Sequence, residues 1–111
     1  MEFSTVEAAL KHLQNGGFII LADDEGRENE WDLVAMAQDI KPEIVDQMLH
    51  EANGLMCLPM PQALTEKLGF TTMVEHSTDP HGTPFTITAD GTLEATGVTT
   101  GVSAFDRATT I

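Results

Sequence analysis

Apolar residues recur along this chain at two periods, and the change of period marks out its elements. Val6, Leu10 and Leu13 follow at helical spacing behind Ser4-Thr5-Val6-Glu7, a capping box with Ser4 at the N-cap, and Asn15-Gly16-Gly17 ends that helix. Phe18-Ile19-Ile20-Leu21-Ala22 is a short unbroken apolar run between glycines and acids, which predicts a buried strand. Leu33 to Ala37 predicts a second strand or the start of a helix, and its period leaves both open. Pro42 suits the first position of a helix carrying Ile44, Val45, Met48 and Leu49 and stopping near Asn53-Gly54. Leu55-Met56-Cys57-Leu58 predicts another buried strand, and Pro61 opens a short helix that ends at Gly69. The polar stretch from Thr71 to Thr83 predicts a loop, and Pro84 to Ala89 alternates as a strand does. Thr96 to Gly101 is a small-residue turn, after which Ser103 caps a last helix with Asp106 as its third residue.

Helices alternating with short apolar strands predict an α/β class, with α+β as the other possibility, and a mixed sheet with helices packed on it. Residues 1–111 contain no repeat, low-complexity tract or linker and are expected to form a single domain. A chain of this length buries about 60–70% of its unfolded surface, so a core without staples is feasible. Met1, Met36, Met48, Met56, Met60 and Met73 are expected to fill that core. No apolar run approaches the roughly 20 residues needed to span a bilayer. Met1-Glu2-Phe3-Ser4 lacks the basic-then-apolar order of a secretory signal, and the single Cys57 cannot make an internal disulfide. These features together predict a cytoplasmic protein that does not engage a membrane.

Charge narrows the field further. Five basic residues stand against 18 acids, a formal charge of −13, which excludes nucleic acid and anionic membrane as natural partners. An anionic substrate would need a bound cation or a concentrated positive site. Arg27 and Arg107 are two of the five bases, and both lie in motif-like segments.

Six of the ten residues from Asp23 to Asp32 are acids, directly after the Phe18–Ala22 run. Solvated surface charge is one reading of the cluster. An EF-hand loop is a poor one, because Gly26 stands out of register with the acids. A magnesium-type site, in which one or two carboxylates hold the ion and substrate oxygens complete the shell, is the third, and Arg27 beside Glu28 favours it for a polyhydroxy phosphate. Thr99-Thr100-Gly101-Val102-Ser103-Ala104 reads as a plain turn into a helix, or as an anion site built from N–H groups and hydroxyls with Arg107 nearby. His76, Asp79 and His81 are metal ligands by residue type, yet a simple turn at Asp79-Pro80-His81-Gly82 accounts for them better. His12 and His50 read as surface or packing residues. Cys57 reads as a small core residue, having no assignable base beside it.

The string Asp23-Asp24-Glu25-Gly26-Arg27-Glu28-Asn29-Glu30-x-Asp32-Leu33 closely resembles the signature loop of the 3,4-dihydroxy-2-butanone 4-phosphate synthase family. The resemblance continues through Gly54 to Pro59, His76 to Thr86, and Thr99 to Ile111, in family order over nearly the whole chain. It implies an α/β fold and a homodimer with active sites near the subunit boundary. It also implies magnesium or manganese, and a lyase that converts D-ribulose 5-phosphate into 3,4-dihydroxy-2-butanone 4-phosphate and formate for riboflavin biosynthesis. By motif position it implies that Glu28 ligates the metal and that Arg27 and Asp32 bind the sugar phosphate. Glu28, Asp32 and Glu30 would be the catalytic carboxylates, with Asp24 as another candidate, and Cys57, Thr83 and Thr100 would lie against the substrate.

Two departures accompany the resemblance. Trp31 stands where the family carries glycine, and an indole there would narrow or cap the pocket. Family enzymes also continue for about another hundred residues, which supply as second metal ligand a histidine, in a segment that also grips the phosphate, and a further catalytic glutamate. The chain is therefore expected to be an N-terminal portion of such a domain, with weak metal binding and little turnover. The alternative is a non-catalytic metal-binding or dimerising relative on the same scaffold, and Trp31 is the feature that favours it.

Overall fold

The computed structural model describes residues 3–111, so Met1, expected among the core methionines, lies outside the described residues. The chain forms two compact units, one running to Met56 and resumed by Gly91–Ile111, the other Cys57–Asp90.

In the first unit, helix α1 spans Val6–Gln14. Its cap is Thr5 rather than Ser4: the Thr5 side chain accepts from the Ala8 N–H at 3.2 Å. Adjacent hydroxyls allow either register, and the one adopted puts Ala8 where the reciprocal carboxylate of a capping box would stand, so Glu7 does not close the box. Strand β1, Phe18–Ala22, pairs antiparallel with β2, Trp31–Ala35, from Phe18↔Ala35 to Ala22↔Trp31. The apolar run after Trp31 thus resolves as strand. Helix α2, Pro42–Ala52, begins on its proline and ends on Asn53 in the left-handed region. A single helical turn, α4 (Leu93–Thr96), and the last helix, α5 (Ala104–Thr110), complete the unit.

α2 packs against α5 and β2, and α1 packs against β1. Val45 on α2 is fully buried and Val98 nearly so; they are the apolar side chains that reach full burial among the described residues. The class is α+β, with a sheet of two antiparallel strands among the described residues. The expected burial of β1 does not hold. Ile20 and Leu21 are 59% and 55% exposed, because β2 covers one edge and α1 reaches only part of one face. Met36 and, in the second unit, Met73 are exposed too, so neither fills a core.

In the second unit, Pro61 caps helix α3, Gln62–Leu68, and Gly69 closes it at φ 73°, a left-handed conformation that costs glycine nothing. Leu55–Leu58, where one unit gives way to the other, forms no strand, and both Leu55 and Cys57 are exposed, since no segment among the described residues pairs its backbone with that run. Cys57 is therefore not a core residue. The strand expected over Pro84–Ala89 reduces to a bridge, Thr72↔Thr86, flanked by hydrogen bonds from the Met73 N–H to the Phe85 carbonyl and the Ile87 N–H to the Thr71 carbonyl, both 2.9 Å.

Candidate functional site

The acidic segment is the loop of the β1–β2 hairpin. It is held from inside by its first acid. The Asp23 carboxylate accepts the Glu30 N–H at 2.8 Å through one oxygen, and the Glu28 N–H at 3.1 Å and an Arg27 Nη1–H at 3.0 Å through the other. The Asp23 N–H in turn donates to the Glu30 carbonyl at 3.2 Å, extending the ladder one step past Ala22↔Trp31. Inside this closure Asp24 accepts the Gly26 N–H at 2.7 Å, and Asn29 takes φ 53°, a conformation Asn tolerates better than most residues. The Glu30 N–H, then the Glu28 N–H and the Arg27 guanidinium, hold the Asp23 carboxyl below the ordinary carboxylate range.

Arg27 reaches two acids with one nitrogen. Nη1 lies 3.0 Å from Asp23 and 2.6 Å from Glu28 Oε2, and the Arg27 side chain remains 54% exposed. Repulsion among these like charges is therefore relieved by one guanidinium and by backbone N–H groups. The loop is held by its own hydrogen bonds while residues 24–32 stay exposed to solvent.

β2 carries Trp31 and Asp32 in succession, so they project to opposite faces of the hairpin. Trp31, 52% exposed, flanks an open cleft of about 650 Å³ with Phe3, Ala22, Asp23, Asp24 and Asn29. Arg27, Glu28 and Asp32 are not among the residues lining that cleft. The indole therefore projects to the face opposite Asp32 and borders the acidic loop on the side of Asp23 and Asp24. Asp32 is exposed opposite Leu21, and Glu30 is fixed by its backbone to Asp23.

Thr100 belongs to a turn gripped by α5. Asp106 accepts from the N–H groups of Thr99, Thr100 and Gly101 and from both threonine hydroxyls, at 2.9–3.3 Å. Burial alone would raise the Asp106 pKa, but these backbone donors prevail and hold it low. Of the two readings of Thr99–Ala104, the plain turn into a helix is the one that forms, and a carboxylate from within the chain takes the N–H groups of Thr99, Thr100 and Gly101. Arg107 directs Nε to the Val102 carbonyl at 2.9 Å. Gly101, buried at φ 73°, lets the turn close over Asp106.

In the second unit Asp79 organises the histidine loop. It accepts the Thr83 N–H at 2.7 Å and the His81 N–H at 3.2 Å, and its own N–H donates to Ser77 Oγ at 3.2 Å. The turn reading of this segment holds, and Thr83 is half-buried within it. The Thr83 N–H is the chief reason the Asp79 carboxyl stays below its usual range.

Among the described residues no three His, Cys, Asp or Glu side chains are grouped to hold a metal. Glu28 fits the single-carboxylate share of a magnesium-type site, in which water and substrate supply the other oxygens. The organising parts played by Asp23 and Asp106 escaped the sequence reading. The available signal was position: each is an acid at the edge of an element, next to a loop whose N–H groups lack ladder partners.

Comparison with known proteins gives one answer. The family model described as 3,4-dihydroxy-2-butanone 4-phosphate synthase matches residues 7–111. The riboflavin biosynthesis protein RibBA of Bacillus cereus (strain B4264) is 43% identical over 109 residues, 98% of this chain and 26% of the relative. The crystal structure of a 3,4-dihydroxy-2-butanone 4-phosphate synthase in complex with two magnesium ions superposes with a TM-score of 0.87 at 37% identity, covering 96% of this chain and 48% of that one. The two-domain synthase RibBX of A. baumannii superposes at 0.80 with 39% identity, covering 96% and 30%. The chain therefore spans about a quarter of the curated relative and half or less of the two solved ones.

Proposed function

Because the chain belongs to the 3,4-dihydroxy-2-butanone 4-phosphate synthase family, we propose that it carries the signature-loop part of a riboflavin-biosynthesis lyase that converts D-ribulose 5-phosphate into 3,4-dihydroxy-2-butanone 4-phosphate and formate. The observation that carries this reading is the pairing of Arg27 with Glu28 at 2.6 Å on a loop pinned by Asp23. A guanidinium and a carboxylate in contact are a latent pair of binding groups, one for a phosphate and one for a divalent cation. Neither can serve fully until they part. Both are partly exposed, so solvent screens the pair and little holds them together.

A bound Mg²⁺ or Mn²⁺ supplies Lewis-acid stabilisation of negative charge on substrate oxygens. The magnesium complex of the related synthase supports a divalent ion as cofactor. Glu28 would hold the ion and Arg27 the sugar phosphate. Asp32 binds a substrate hydroxyl and, with Glu30, takes up and returns protons. Asp23 fixes the backbone under Glu28 and Glu30, so these carboxylates keep their spacing. Cys57, Thr83 and Thr100 contribute further substrate contacts. The working form is a homodimer in the cytoplasm.

The non-catalytic alternative draws on Trp31, which borders the cleft beside Asp23 and Asp24, and metal binding without turnover is what it predicts. The test measures Mn²⁺ binding by electron paramagnetic resonance, and formate release from ribulose 5-phosphate with added magnesium. The 111-residue chain should bind the ion weakly and release formate slowly, and Glu28→Gln should lower metal affinity about tenfold or more. Unchanged Mn²⁺ affinity in Glu28→Gln would remove the role given to that carboxylate. Robust turnover by the chain alone would refute a need for groups beyond it.

A further inference from the structure

Asp106 is 3% exposed, although its neighbour Thr100 is open to solvent. Its Oδ1 accepts the Thr99 N–H at 3.3 Å. Its Oδ2 gathers the Thr100 N–H at 2.9 Å, the Gly101 N–H at 3.0 Å, and the hydroxyls of Thr99 and Thr100 at 3.1 and 3.2 Å. α5 tightens the grip from both sides: Ser103 Oγ accepts the Asp106 N–H at 3.0 Å, and Arg107 Nε donates to the Val102 carbonyl at 2.9 Å.

This arrangement dictates which way the Thr100 hydroxyl faces. An ionised carboxylate only accepts, so the Thr100 hydroxyl proton must point at Asp106. One of its lone pairs takes the Val102 N–H at 3.3 Å. The remaining lone pair is the polar feature the residue can offer a ligand, and a rotor that would otherwise spin is fixed. An oriented lone pair suits a sugar hydroxyl, which can donate; it does not suit a phosphate oxygen, which cannot when ionised.

We propose that Asp106 is a positioning residue that acts through Thr100, setting its hydroxyl to accept a hydrogen bond from a hydroxyl of the sugar phosphate. The inference rests on the reading that Thr100 meets ribulose 5-phosphate, and it assigns this contact to the carbon chain of the substrate rather than to its phosphate.

Calorimetric titration of ribulose 5-phosphate in the presence of Mg²⁺ tests it on the full chain and on Thr100→Val, Asp106→Asn and the double variant. Each single change should weaken binding about tenfold. The double variant should be no weaker than the poorer single one, since both remove the same contact. Mn²⁺ affinity should stay unchanged throughout. Effects that multiply in the double variant, or an Asp106→Asn that binds as the parent does, would overturn the proposal. A second arm needs no variant and no ligand. The amide protons of Thr99, Thr100 and Gly101 should shift together, with one midpoint, as acid protonates Asp106. Independent or flat titration would overturn the proposal even if the variants bind poorly. A parent chain that takes up no ribulose 5-phosphate would sink the functional reading, and the amide titration would still decide whether Asp106 holds Thr100.

Discussion

A carboxylate that accepts backbone N–H groups is favoured in its charged form, and each such bond links loop geometry to pH. Asp23, Asp79 and Asp106 all have pKa values below the ordinary one, owing chiefly to the Glu30 N–H for Asp23 and the Thr83 N–H for Asp79. For Asp106 burial works the other way and is outweighed by the N–H groups of Thr99, Thr100 and Gly101. A depressed folded pKa adds stability above the unfolded value of about 4, and that stability fades as pH falls through the folded value. Order in the three loops should therefore persist to pH 4 and be lost below it, which amide exchange in each segment can follow. Asp23→Asn should loosen the hairpin loop, doubling or more its exchange rates at neutral pH while α2 stays protected. The acids themselves were legible in the sequence, and so was the candidate loop. Their inward hydrogen bonds were not, because partners seven residues apart, such as Asp23 and Glu30 or Thr99 and Asp106, follow no periodic spacing.

At the scale of elements, local punctuation was decisive. Pro42, Asn53, Pro61, Gly69 and Ser103 each bound a helix where the sequence places it, since caps and breakers act through their own backbone. The Leu55–Leu58 strand failed for the converse reason: a strand needs a partner, and four apolar residues cannot announce whether one exists. The single turn α4 went unread because Thr92 and Gly97 bound only four residues, too few to show a period. Removing the α1 cap by Thr5→Ala should cost about 1 kcal/mol, whereas Ser4→Ala should be nearly silent, a contrast that chemical denaturation can measure. Val45→Ala should cost about 2–3 kcal/mol, because Val45 is fully buried on the helix that meets both α5 and β2.

Across the molecule, apolar surface and net charge oppose each other. Ile20, Leu21, Val102 and Phe105 are all more than half exposed, and β1 and β2 each keep an unpaired outer edge among the described residues. Such edges and patches favour association. A charge of −13 resists it, and salt screens that resistance. The chain should self-associate, more so as ionic strength rises, and Ile20→Lys should reduce the effect; light scattering that returns a clean monomer at all salt concentrations would reject this. The charge was plain in the sequence. The uncovered strand was not, since the same apolar run suits a sheet covered on both faces. Trp31 is the sole tryptophan, and it flanks the cleft at the base of the hairpin loop with Asp23, Asp24 and Asn29. The protein's indole emission consequently originates at one address, so a shift in colour or a loss of intensity when an ion arrives would register events at that loop while the helices stay dark.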